Sequence, residues 1–278
     1  MIYLLLAILS SAMVSVIMRL STDKVTGNVS MLAMNYLMCM DVAAAYTGVG
    51  KLFNPGAGVG QTLVMGGFNG LLYLLGFVLL QVNVKKNGVV LSATFMKLGL
   101  LVPMVMSVCL FGERPGLVQV IGFLIAVAAI VLINFEQDNS AMEFRIGLIL
   151  LLLAGGGGDS MSKVFEELGN PEQASHFLFY TFVAAFLLCV ALMLWKKERP
   201  GRAEAVYGLL IGIPNYFSAR FLLRALESLP AVIAYPTYSV ATILAVTMVG
   251  LLVFRERLGK RQWVAIGAIL IALVLLNL

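Results

Sequence analysis

Lys97 stands in the run Thr94-Phe95-Met96-Lys97-Leu98, nine or ten residues inside an apolar segment and too far from either end to reach water easily. An ammonium there suits an acidic group: a carboxylate-bearing solute, or Asp41 or Asp159 in an internal ion pair that joins helices. Arg220 is a second cation, followed by Arg224 and Glu227 at helical spacings of four and three, so that all three share a face. Arg224 and Glu227 lie close enough to the segment end to pair there and meet headgroups. Arg220 is deeper by about 6 Å, four residues at ~1.5 Å of rise each. Asp159 follows Gly155, Gly156, Gly157 and Gly158 and precedes Ser160, Ser162 and Lys163. Four glycines in a row suit either close helix packing or an unwound stretch that lines a cavity. Asp159 is a candidate to meet an amine or to pair with a lysine, and Asp41 is a candidate proton-coupling carboxylate.

Softer candidates are amides and aromatics. Asn69 and Tyr73 are one helical turn apart, Asn215 and Tyr216 follow Pro214, and Tyr235 and Tyr238 fall in Tyr235-Pro236-Thr237-Tyr238-Ser239. Together they offer hydrogen bonds and flat apolar walls, the usual makeup of a small-molecule pocket. Taken singly, each fits helix packing or an interfacial position better than a pocket wall. Lone His176 is expected at headgroup level and not as a metal ligand. The chain has no Gly-x-x-x-x-Gly-Lys-Ser/Thr loop, no His-Glu-x-x-His and no cysteine pair at ligand spacing, so ATP hydrolysis, zinc chemistry and a bound cofactor are unsupported. No base stands ready for a serine nucleophile, and the chain does not read as an enzyme.

The elements that must hold these groups are set by composition. Of 278 residues 61% are hydrophobic and 12% charged, divided into ten apolar segments. Crossing about 30 Å of hydrocarbon takes about 20 apolar residues, with about 17 sufficient. The spans are expected at 2 to 19, 29 to 48, 61 to 82, 88 to 111, 116 to 135, 146 to 164, 174 to 195, 204 to 227, 231 to 254 and 262 to 278. Ile146 to Leu153 and Ala265 to Leu276 are apolar without alternation, which rules against a membrane barrel and leaves helices, whose backbone groups pair within their own segment. The first segment lacks a basic stretch before it and is kept as a span, not a cleaved signal. Cys39, Cys109 and Cys189 all fall inside apolar segments and read as buried packing cysteines.

At this depth an ionisable group costs about 2.5 to 3.5 kcal/mol on insertion scales, so Lys97 asks for a reason. The net charge of +5 reflects membrane topology, with no need for nucleic acid. Arg19, Lys24, Lys85, Lys86, Lys196, Lys197, Arg199, Arg202, Arg255, Arg257, Lys260 and Arg261 follow odd-numbered spans, which places those loops in the cytoplasm and both termini outside.

No connection is long enough for a soluble domain. Instead, a shift of 143 residues lays Val89 to Asn134 over Val232 to Asn277 without a gap, carrying Phe111, Glu113, Arg114, Gly116 and Gln119 onto Phe254, Glu256, Arg257, Gly259 and Gln262. A shift of 146 carries Gly66 and Asn69 onto Gly212 and Asn215. Two five-span copies are expected, residues 1 to 140 and 141 to 278, together one transmembrane domain. An odd number of spans per copy inverts the second relative to the first, the layout through which many secondary transporters alternate access.

Ten short spans in two halves, with the fourth and ninth ending in Phe111-Gly112-Glu113-Arg114 and Phe254-Arg255-Glu256-Arg257, resemble the drug/metabolite transporter superfamily in its EamA-like branch. The resemblance covers essentially the whole chain. It implies a central cavity lined mainly by the first, third, fourth, sixth, eighth and ninth helices, with the second toward the periphery, and movement of a small organic solute. The expected protein is therefore an all-α, multi-pass protein of the cytoplasmic or inner membrane, exporting or exchanging an amino acid or organic anion, with a lipid or lipid-linked headgroup as the alternative cargo. A coupling proton or counter-solute, a membrane lipid environment and a monomer or homodimer complete the expectation.

Overall fold

A computed structural model of the chain describes residues 1–52, 56, 58–134, 145–255 and 259–278, and among them helix is the only regular element. The helices are α1 (Ile2–Ser21), α2 (Asn28–Thr47), α3 (Val49–Leu52), α4 (Val59–Asn87), α5 (Val89–Lys97), α6 (Leu101–Leu110), α7 (Leu117–Asn134), α8 (Arg145–Leu168), α9 (Ala174–Trp195), α10 (Arg202–Leu226), α11 (Ala231–Leu252) and α12 (Lys260–Leu276). Eight described helical stretches are long and apolar enough to cross a membrane, α5 and α6 counting together as Leu91–Leu110. The chain is thus an all-α, multi-pass membrane protein. Two expected spans fall short of that standard: the apolar part of α7 is Leu117–Leu132, and α12 has 17 residues. Glu256 and Arg257 of the second charged turn lie outside the described residues.

By compactness the chain forms two units, each drawing on both sequence halves: Met1, Leu75–Lys163 and Ser228–Leu278 in unit 1, Ile2–Leu74 and Val164–Glu227 in unit 2. In unit 1, α7 packs along α12, and Leu100, Phe123, Ala126, Ala129, Ile130, Val240, Ile269, Ala272 and Leu276 form a buried core. Small residues let backbones approach: a side chain on Gly122 would meet Leu275 at 2.9 Å.

Unit 2 is built on α1, α2, α9 and α10. Gly208 and Gly212 of α10 lie against Met31, Met34, Asn35 and Met38 of α2, and Gly66 and Gly70 of α4 lie against the stretch from Phe177 to Ala185 of α9. Both glycine spacings are therefore packing faces. A reciprocity runs through these contacts. Asn69 donates to the Thr181 hydroxyl at 3.4 Å, and Asn215 donates to the Asn35 carbonyl oxygen at 3.2 Å. The shift of 146 that carries Asn69 onto Asn215 also carries Asn35 onto Thr181, so the two bonds are one contact made twice, as in a self-complementary pair.

The N-terminus of α2 has Gly27 where a capping side chain would normally stand. Glu204 of α10 supplies the missing acceptor, taking the Thr26 and Gly27 amides at 2.9 and 3.2 Å, while Glu198 takes the Ser30 amide at 3.2 Å.

Candidate functional site

Lys97 is the last residue of α5, and the sequence just after it explains why the helix stops there. Pro103 has no amide hydrogen, and its ring clashes with the carbonyl four residues back, that of Gly99. The chain tightens into a 3-10 turn over Leu98–Leu100 before α6 resumes. Gly99 approaches Leu152 and Gly156 of α8 so closely that a side chain at Gly99 would meet the Gly156 nitrogen at 2.9 Å. The glycine run is a packing surface: α8 is continuous from Arg145 to Leu168, with no unwound stretch at Gly155 to Gly158.

The Lys97 side chain is exposed and Asp159 is half-buried. Within unit 1 their charges act on each other, yet no contact within 4.0 Å pairs them. The internal Lys97–Asp159 bridge that sequence reasoning offered as the lysine's other use is not formed. The Tyr235 hydroxyl donates to the Asp159 carbonyl at 2.7 Å, binding α11 to α8. Tyr235 is fully buried and acts there as a strut, while Tyr238, one turn on, is half-buried.

Below this lies a contact that sequence reasoning missed. Helix α11 begins after Pro230, which cannot cap it with a side chain. The Glu113 carboxylate accepts the Ala231 and Val232 amides at 3.0 and 2.9 Å and pairs with the buried Lys163 ammonium at 3.1 Å. Two donors left open at the helix start are satisfied by an anion at the positive end of its dipole. The Lys163 ammonium also sits 5.9 Å from the Phe111 ring centroid. Glu113 in the charged turn thus fastens α8 and α11 together. The absence of a capping residue before Ala231 was the available signal.

The remaining candidates belong to unit 2. Asn69 is fully buried, and its side-chain oxygen has no partner among the described residues. Tyr73 stacks on Tyr36 at 6.3 Å between ring centroids and meets Phe182 at 6.2 Å. Asn35, which receives Asn215, also receives the Cys39 thiol at 3.6 Å, and that thiol lies 3.2 Å from the Gly212 carbonyl. Arg220 donates to the Ser175 and Tyr216 hydroxyls, both at 3.2 Å, with its guanidinium 4.4 Å from the centre of the Tyr46 ring. Arg224 and Glu227 pair with each other at 3.4 Å, half-exposed, as expected of a helix end. Asp41 is exposed on α2.

His176 is buried, its Nε2 3.2 Å from the Lys51 carbonyl. Cys39 and Cys189 are buried as expected, but Cys109 is exposed because it lies on an outer face of α6.

Comparison with known proteins follows from this geometry. The EamA-like transporter family matches twice in succession, over residues 1–135 and 145–278. An uncharacterized protein of Haemophilus influenzae is 26% identical over 203 residues, covering 71% of this chain and 69% of its own. A probable 4-amino-4-deoxy-L-arabinose-phosphoundecaprenol flippase subunit of Proteus mirabilis is 28% identical over 109 residues, which is 36% of this chain and 96% of the subunit. A spermidine export protein of Cronobacter sakazakii is 30% identical over 87 residues, 31% of this chain and 78% of that protein. A protein of known crystal structure matches with a TM-score of 0.74 at 16% identity, over 99% of this chain and 94% of its own, a likeness of fold.

Proposed function

Since the chain belongs to the EamA-like transporter family, we propose that it is a secondary transporter that exports or exchanges a small organic metabolite, an amino acid or organic anion, across the cytoplasmic membrane. In this reading two inverted five-helix halves, residues 1 to 140 and 141 to 278, alternate access to the solute. The two successive family matches and the reciprocal Asn69–Thr181 and Asn215–Asn35 bonds support the duplication.

One observation carries the choice of solute: Lys97, in the middle of an apolar stretch, ends a broken helix with its side chain exposed and no ion-pair partner among the described residues of its unit. A charge kept at that depth without a fixed partner is available to a mobile one. Asp159 stands as its opposite charge on α8 and suits the amine of the same solute. The flippase subunit and the spermidine exporter are both named for amine-bearing cargo, which supports that assignment. Tyr235 and Tyr238 complete the proposed set on the Lys97 side, and Asn69, Tyr73, Asn215 and Arg220, all in unit 2, form a second, separate group of proposed solute-facing or positioning residues. Asp41 is the proposed coupling carboxylate, with a proton or counter-solute supplying the drive.

A flux assay in proteoliposomes over candidate amino acids and organic acids tests this. Accumulation of an acid-bearing solute by the wild type and its loss in Lys97→Ala is the expected result. Equal accumulation by both removes Lys97 from the site. The flippase likeness favours one second reading, translocation of a phosphorylated lipid headgroup. That reading requires labelled lipid to change leaflets in the same liposomes.

A further inference from the structure

Unit 2 contains a small, partly open groove at one end of α10, lined by Ala174, Ser175, Leu178, Arg220, Leu223, Arg224 and Glu227. Two arginines face one glutamate there, and the glutamate is taken by Arg224 at 3.4 Å. Among the described residues of the unit Arg220 has no ion pair: its partners are the Ser175 and Tyr216 hydroxyls and the Tyr46 ring. Those neutral contacts hold the guanidinium at a fixed angle without neutralising it. A planar fork fixed in this way matches the paired oxygens of a carboxylate or phosphate.

The internal duplication shows that the fold does not need these charges. Under the shift of 146, Arg220, Arg224 and Ser175 correspond to Leu74, Val78 and Val29, and Tyr216 corresponds to Gly70. The same helical packing is therefore made in the other copy with apolar or absent side chains, and Val29 there is fully buried. Polar groups that the architecture can do without, collected at one groove, call for a ligand.

We infer that this groove is an oxyanion-binding site, in which Arg220 grips a phosphate or carboxylate, Ser175 adds a hydroxyl and Arg224 adds charge. The inference stands apart from the Lys97 site: it is read by binding, so either can fail while the other holds. The oxyanion belongs either to a soluble solute or to a lipid headgroup.

The test is thermal unfolding of the purified full-length protein with inorganic phosphate, glycerol phosphate or acetate, at ionic strength held constant with chloride. A parallel arm compares nanodiscs of phosphatidylcholine with and without phosphatidic acid. A melting point raised by any of the soluble oxyanions or by phosphatidic acid is expected, and the arm that responds identifies the source. Arg220→Gln should weaken the response at least about tenfold, the worth of one charge-assisted bond. Ser175→Ala should weaken it less, a second reading that survives if the arginine variant does not fold. No response in either arm, or a response in Arg220→Gln and Ser175→Ala equal to that of the wild type, overturns the inference.

Discussion

Each unit carries a deep cation, and the two are treated in opposite ways. In unit 2, Arg220 is held by two hydroxyls and an aromatic face, on an unbroken helix. In unit 1, Lys97 ends a helix that Pro103 interrupts, and it has no ion-pair partner among the described residues there. Their counterparts in the duplicated sequence are apolar: Val240 for Lys97 and Leu74 for Arg220. Val240 is fully buried in the core. The fold can thus be built at both places without charge. What differs is preparation: Arg220 is fixed in advance, whereas Lys97 is left available.

The sharpest way to disturb this contrast is to loosen the frame around Lys97. Glu113→Ala removes the carboxylate that pairs with the buried Lys163 ammonium at 3.1 Å and opens the α11 amides. Breaking a buried pair costs about 3–5 kcal/mol, so a large drop in melting temperature is expected. A melting temperature within error of the wild type would show that the Glu113–Lys163 contact does not hold unit 1.

The cations themselves come next. Arg220→Ala strands two hydroxyls and should lower stability by about 1–3 kcal/mol. Lys97→Ala removes a charge that no ion pair holds among the described residues of its unit, so stability should hold or rise while solute flux falls by about tenfold or more. Denaturant unfolding of both variants beside their flux separates the roles. Loss of stability in Lys97→Ala comparable to that in Arg220→Ala would erase the distinction.

Gly156→Ala probes the α5–α8 contact that presents Lys97. Its new methyl meets Gly99 and Val102, an overpacking expected to cost about 1–2 kcal/mol after the gain in helix propensity. Smallest is Tyr235→Phe, which removes one hydrogen bond to Asp159 and should cost about 1 kcal/mol. Both are read as shifts in the unfolding midpoint.

Much of this was legible in the chain. The boundaries of α2, α9 and α11 follow from apolar length: spans expected at 29 to 48, 174 to 195 and 231 to 254 are the helices Asn28–Thr47, Ala174–Trp195 and Ala231–Leu252. The glycine spacings gave the packing faces because a missing side chain has a local consequence that sequence can show. The jobs of Glu113 and Glu204 were not, because each caps a helix more than a hundred residues away in sequence, and nothing local announces such a partner. The break at Leu98–Leu100 was also missed, although Pro103 carried its signal. Tyr235 was read as a pocket wall from its neighbours in sequence; the bond from its hydroxyl to the Asp159 carbonyl is a contact that only packing creates.

The most direct test is aqueous access to residue 97. In membrane vesicles, Lys97→Cys on a background of Cys39→Ala, Cys109→Ala and Cys189→Ala is treated with a charged, membrane-impermeant thiol reagent. Reaction at that position is the predicted result. Failure to react from either side of the membrane, while the same reagent modifies Lys24→Cys in the loop after α1, would contradict it.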